Sequence, residues 1–167
     1  MSSTFVAILM GSDSDLPVMQ ATIDVLKQFD ITHEVRVRSA HRTPDAAKAY
    51  VKDAEERGCK VFICAAGLAA HLAGAVAGMT TRPVIGVPVD NGPLQGHDAL
   101  LSTVMMPGGI PVATVAIGKA GAKNAAYLAA QILGVADQTI AGKVKAERVA
   151  NAKALLAKDE AMQAKLS

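Results

Sequence analysis

The stretch TFVAILMGSDSDLPVMQ, residues 4–20, decides the fold. An apolar, β-branched run stops at Gly11, two serines and two aspartates follow, and apolar residues return at Leu16, Met19, Ile23 and Leu26, the spacing of one helical face. This is a strand, a tight turn and an amphipathic helix. Further strand candidates lie at 32–37 (THEVRV), 60–64 (KVFIC), 83–89 (PVIGVPV) and 111–117 (PVATVAI), and a second helical stripe runs through Ala47, Tyr50, Val51 and Ala54. Near-continuous apolar strands alternating with helices predict a parallel sheet covered on both faces, because parallel neighbours need crossover connections. The expected fold class is α/β, a three-layer αβα sandwich.

Composition narrows the function. With 167 residues, 51% of them hydrophobic, the chain suits one domain with a sizeable core. A net charge of +2 and 3% aromatic residues supply neither a basic footprint nor stacking platforms, so nucleic acid is not an expected partner. Residues 1–15 lack the basic and long apolar regions of a signal peptide, and no apolar run is long enough to span a bilayer. The expectation is a cytoplasmic protein with no membrane partner. Cys59 and Cys64, five apart, fit neither a redox pair nor a zinc site and read as packing residues.

The chemistry gathers where strands end. In a parallel α/β sheet, ligands bind beyond the carboxyl ends of the strands. There GSDSD offers Ser12, Ser14 and helix amides to an anion, and Asp15 to hydroxyls, a set suited to a phosphorylated sugar; capping of the helix by Ser14 or Asp15 is the alternative. After the second strand, SAHRTPD places Ser39, His41 and Arg42 together: a hydroxyl, a group that titrates near neutrality and a phosphate fork, with Pro44 and Asp45 opening the next helix. After the third, CAAGLAAHLAG leaves a small-residue nest around Gly67 for a carboxylate, followed by His71 inside the next helix, either a site residue or a buried structural histidine. His33 and His97 carry no supporting constellation. Neither GxGxxG nor a P-loop occurs, so no nucleotide cofactor is indicated.

GSDSD, SAHRTP, AGLAAHLAG, GVPV, MPGGIPVATVAIG and AGAKNAAYLAAQIL, in that order over about residues 5–135, resemble the catalytic-subunit family of phosphoribosylaminoimidazole carboxylase. The resemblance implies a flavodoxin-like subunit in a homo-octamer with sites at subunit junctions, a small phosphoribosyl substrate, and no cofactor or metal. In the family's bacterial branch the reaction turns N5-carboxyaminoimidazole ribonucleotide into 4-carboxyaminoimidazole ribonucleotide. By the matching motifs, Ser12, Asp15 and Arg42 correspond to substrate-binding residues and His41 to the general acid/base; Ser39, Gly67 and His71 join them on the residue reading above. The chain departs from the family's usual pattern at Leu68 (glycine), Ala73 (proline) and Met105 (glutamine), and Leu68 either narrows the carboxylate pocket or turns away from it.

Two rivals are weighed. Direct carboxylation of aminoimidazole ribonucleotide belongs to a branch with lysine after the catalytic histidine, where this chain has Arg42, Thr43 and Pro44. A phosphoacceptor receiver would use Asp13, Asp15 and Lys119, but needs an aspartate ending the third strand, where the chain reads ICAAG. The chain is read as one domain, 1–167, in which 137–167 is a helical extension. Its large apolar residues, Val144, Val149, Leu155, Leu156, Met162 and Leu166, make a thin stripe, so the extension is a surface helix or one that packs on a neighbouring subunit. The implied oligomer favours the second.

Overall fold

The computed structural model describes residues 4–166; residues 1–3 and 167, at the ends of the expected domain and extension, lie outside the described residues. Strand β1 (Phe5–Met10) is buried along its whole length, as a central strand with two covered faces must be. A 3₁₀ turn (Asp13–Asp15) leads into α1 (Leu16–Gln28), whose Pro17 sits in the first turn, where a missing N–H costs nothing. Then follow β2 (His33–Val37), α2 (Pro44–Arg57), β3 (Cys59–Gly67), α3 (Leu72–Ala77), β4 (Val84–Val89), α4 (His97–Val104), β5 (Ala113–Thr114), α5 (Gly118–Gly134) and α6 (Gln138–Leu166). All pairings are parallel and the strand order is β2-β1-β3-β4-β5, the flavodoxin-like order.

Alternation along the strands splits the core in two. Phe5, Ala7 and Leu9 of β1 and Phe62 and Cys64 of β3 pack with Tyr50, Val51 and Ala54 of α2 and Leu72, Ala73 and Val76 of α3. The intervening Val6, Ile8 and Ile63, fully buried too, face the other way. On α1, Met19, Ile23 and Leu26 of the predicted stripe are buried while its first member, Leu16, is exposed at the helix start, and the buried Thr22 hydroxyl donates to the Ala122 carbonyl of α5 at 2.6 Å. Each large aliphatic or aromatic side chain removed from water contributes about 1.5–3 kcal/mol. Gly86 in β4 is required by crowding: a Cβ there would lie 2.4 Å from Thr103 Cγ2 of α4.

Two strands differ from their expected lengths. β3 runs on to Gly67 because Ala65, Ala66 and Gly67 pair with Val87, Pro88 and Val89. β5 shrinks from the expected 111–117 to two residues, pairing only Ile85 with Ala113 and Gly86 with Thr114; Pro111 has no N–H for a ladder, and the strand lies at the sheet's edge. Cys59 and Cys64 are buried and unbridged; burial pushes the Cys59 thiol up to about 11, so both pack as apolar groups.

By its contacts the chain divides into two units, Met1–Ala129 and Ala130–Ser167, with the boundary inside α5. In the second unit Asp137 caps α6, its Oδ1 accepting from Thr139 N at 2.9 Å and Ile140 N at 3.2 Å. Val144 is the only buried residue of α6 among those described. No helix among the described residues is long and apolar enough to cross a membrane.

Candidate active site

From β1 the chain turns to β2 on one side and then returns past it to β3 on the other, so the loops beyond these strands part and leave a crevice at the carboxyl edge. Residues 11, 12, 14 and 15, residues 39–42, 66–69, 71 and 72, and Asn91 line a cavity of about 610 Å³ there. Pockets for small ligands span roughly 300–1,000 Å³. All seven site residues singled out in the sequence line it.

The turn after β1 is self-contained. Ser12 and Asp15 form a capping box: Ser12 Oγ accepts from the Ser14 amide at 3.3 Å, and the Ser12 amide donates to Asp15 Oδ2 at 3.1 Å. Ser14 Oγ donates to Ser12 Oγ at 2.9 Å, and the Ser14 amide also reaches Asp13 Oδ1 at 3.1 Å. Fewer amides therefore face a phosphate than the sequence suggests, while the two hydroxyls remain at the cavity. Asp15 makes no side-chain cap to α1. It lies beneath the turn, 2% exposed, and its Oδ1 accepts from Asn91 Nδ2 at 3.1 Å. Burial holds its carboxyl above the ordinary carboxylate range, against the pull of the Ser12 amide and the Asn91 side chain.

The loop after β2 is tied to that turn by Arg42, whose Nη2 donates to the Gly11 carbonyl at 2.8 Å. Ser39 Oγ accepts from the Arg42 amide at 3.1 Å, and Thr43 Oγ1 accepts from the Ser39 amide at 3.0 Å. These bonds fix the backbone on either side of His41. His41 Nε2 lies 2.7 Å from His71 Nδ1, with the rings edge to face at 4.8 Å. His71 is exposed, which excludes the buried structural histidine, and it precedes α3 as its N-cap instead of lying inside the helix. His33 and His97 each bond a nearby carbonyl, those of Ile31 and Leu94.

The nest after β3 is less open than its small residues imply. The Ala70 amide is committed to Ser102 Oγ at 3.0 Å. Leu68 stands in the left-handed region at φ +55 and is 52% exposed, against the cavity. Asn91 escaped the sequence reading because DNGP, residues 90–93, reads as turn chemistry. Its position at the carboxyl end of the fourth strand was the available signal. Two imidazoles sharing a proton, beside an arginine, hydroxyls and a buried carboxylate, can bind an anionic ligand and move one proton to or from it. No group of three or more His, Cys, Asp or Glu side chains able to hold a metal ion occurs among the described residues.

The AIR carboxylase family model matches residues 5–154. The N5-carboxyaminoimidazole ribonucleotide mutase of Thermotoga maritima is 58% identical over 140 residues, covering 84% of this chain and 81% of that protein. The protein of the same name from Vibrio parahaemolyticus is 53% identical over 152 residues, covering 91% and 94%. A crystal structure of Treponema denticola PurE superposes with a TM-score of 0.85 at 34% identity, over 95% of this chain and 98% of that one. The chain belongs to the AIR carboxylase family.

Proposed function

We propose that this member of the AIR carboxylase family is an isomerase that converts N5-carboxyaminoimidazole ribonucleotide into 4-carboxyaminoimidazole ribonucleotide in purine biosynthesis, with His41 as general acid and base. The observation that carries the reading is the 2.7 Å bond between His41 and His71 in the wall of a cavity also lined by Arg42, Ser12 and Asp15. The names of the Thermotoga and Vibrio relatives support it. Ser12, Ser39 and Arg42 receive the phosphate and carboxylate, Asp15 the ribose, and the backbone around Gly67 the transferred carbon dioxide.

The reaction breaks the bond from the ring-attached nitrogen to the carboxylate carbon, releasing carbon dioxide, and forms a bond from that carbon to C4. One proton goes to the nitrogen and one leaves C4. A histidine pair carrying a single extra proton holds it as His41 Nδ1–H, the shared proton and His71 Nε2–H. When Nδ1 protonates the departing nitrogen, the shared proton settles on His41 Nε2, and the freed Nδ1 lone pair is then the base that removes the C4 proton. Proton count and charge close over the cycle. General acid/base catalysis of this kind supplies about 100- to 10,000-fold, and holding carbon dioxide beside C4 makes recapture effectively unimolecular. The chemistry asks for no Lewis acid or redox group.

The reading extends to a cytoplasmic homo-octamer, with residues 137–167 as an extension packed on a neighbouring copy and sites at subunit junctions. The test supplies N5-carboxyaminoimidazole ribonucleotide and labelled bicarbonate to the purified chain. Product with little label at early times is expected. Rapid labelling, together with efficient turnover of aminoimidazole ribonucleotide at low bicarbonate, would overturn the mutase in favour of direct carboxylation.

A further inference from the structure

Leu68 is the one residue of the cavity wall among the described residues that is both left-handed and not glycine. A bulky side chain holds that conformation only where its surroundings over-determine it. Two sets of contacts do so. On the backbone side, Ser102 Oγ, which donates its proton to the Asp98 carbonyl at 2.6 Å, accepts from the Ala70 amide at 3.0 Å, pinning the turn that follows Leu68 to α4. On the side-chain side, Leu68 is seated on the bare backbone of Gly92: a Cβ there would fall 2.5 Å from Leu68 Cδ2. Gly92 is itself left-handed, at φ +89, and follows Asn91, whose Nδ2 donates to the buried Asp15. Asn91 also crosses Gly67 so closely that a Cβ at residue 67 would meet Asn91 Cβ at 3.1 Å.

We propose that Leu68 is a positioning residue: its side chain clamps the backbone at Gly92, so that the Asn91 amide stays on the Asp15 carboxylate and the ribose end of the cavity is set before substrate arrives. The role in catalysis rests on the function proposed above; the clamp does not. Leu68 touches no reacting atom and acts through Asn91. The strain at residue 68 is then the means of aiming an aliphatic side chain across the gap between the loops after β3 and β4.

The test compares the wild type with Leu68→Gly and Leu68→Met by hydrogen–deuterium exchange, melting and steady-state kinetics. Glycine relieves the left-handed strain but removes the clamp, so Leu68→Gly should melt no lower than wild type while exchange across residues 91–96 accelerates. Its KM for N5-carboxyaminoimidazole ribonucleotide should rise about tenfold, the scale of one lost hydrogen bond to a charged group, and kcat should change less than KM. Met, which still reaches Gly92, should restore slow exchange and most of the KM. Unchanged exchange in Leu68→Gly overturns the clamp, as does faster exchange with an unchanged KM in an active enzyme. Should the wild type itself turn nothing over, the proposed function fails, and exchange alone decides the clamp.

Discussion

The carboxyl edge of the sheet and helix α6 are built on opposite terms. At the edge, polar side chains are bonded into the fold: Asp15 is 2% exposed with a donor on each oxygen, and Arg42, Ser39 and Thr43 each hold a neighbouring backbone group. In α6, 29 residues carry one buried side chain, and Leu155 and Leu156 are 69% and 64% exposed. A helix stabilised by tertiary packing needs an apolar face to bury, and α6 hides almost none of its own. The difference teaches that the polar groups of the edge are held by bonds within the chain, whereas the apolar side chains of the tail lie exposed on it.

Changes to single exposed side chains at the edge should therefore act first on chemistry. The largest effect is expected from His41→Asn. Turnover should fall about 100- to 10,000-fold, the range for a lost general acid/base, with melting temperature and light-scattering mass unchanged because the His41 ring is exposed and its bond among the described residues is to His71. Near-normal turnover would remove the assigned role. Arg42→Ala comes next. Loss of a charge-assisted contact to phosphate should weaken binding of a product analogue about 10- to 100-fold, read by calorimetry, and more than it lowers kcat. Unchanged affinity would break the assignment of the phosphate to this loop.

Much of that edge was legible in advance, because strand ends are marked by Gly, Pro and Ser and the topology follows from alternation. GSDSD and SAHR could be placed at one edge without coordinates. The pairings across it could not: His41 meets His71 over a gap of 30 residues, and Asn91 meets Asp15 over 76. Such contacts depend on how far each loop leans, which local propensity does not encode. One amide of the nest was hidden for the same reason, since Ser102 on α4 claims the Ala70 amide from outside the motif. Strand β5 was over-read because its β-branched residues speak for a strand while Pro111 and an edge position limit the ladder.

Asp15 sharpens the contrast through pH. Its carboxyl is held above the ordinary range by burial. A group with a raised folded pKa binds its proton more tightly folded than unfolded, so stability falls as pH rises from the unfolded value, 3.8, through the raised one, and the loss persists above it. Asp15→Asn cannot ionise and escapes this loss. Its stability relative to wild type should be greater at pH 7 than at pH 3 in urea titrations, while affinity for a product analogue drops about tenfold. A stability difference independent of pH would mean that the carboxyl is not destabilised by its site.

The smallest effect on chemistry and the clearest on assembly is expected from α6. If the tail docks on a second copy of the chain, Leu155→Ser combined with Leu156→Ser removes apolar surface that only the assembly buries. An exposed helix in an isolated chain would tolerate both, since surface substitutions ordinarily lie within about 0.5 kcal/mol. In an oligomer the same pair weakens every copy of the contact, and mass action then makes stability depend on protein concentration. Light scattering should report a lower mass at low micromolar concentration, melting should shift downward on dilution, and turnover per chain should remain near normal where the assembly is intact. Equal mass and equal melting across a hundredfold dilution would show that α6 is a surface helix, and the reason for its thin apolar stripe would then lie in the chain's own solvation.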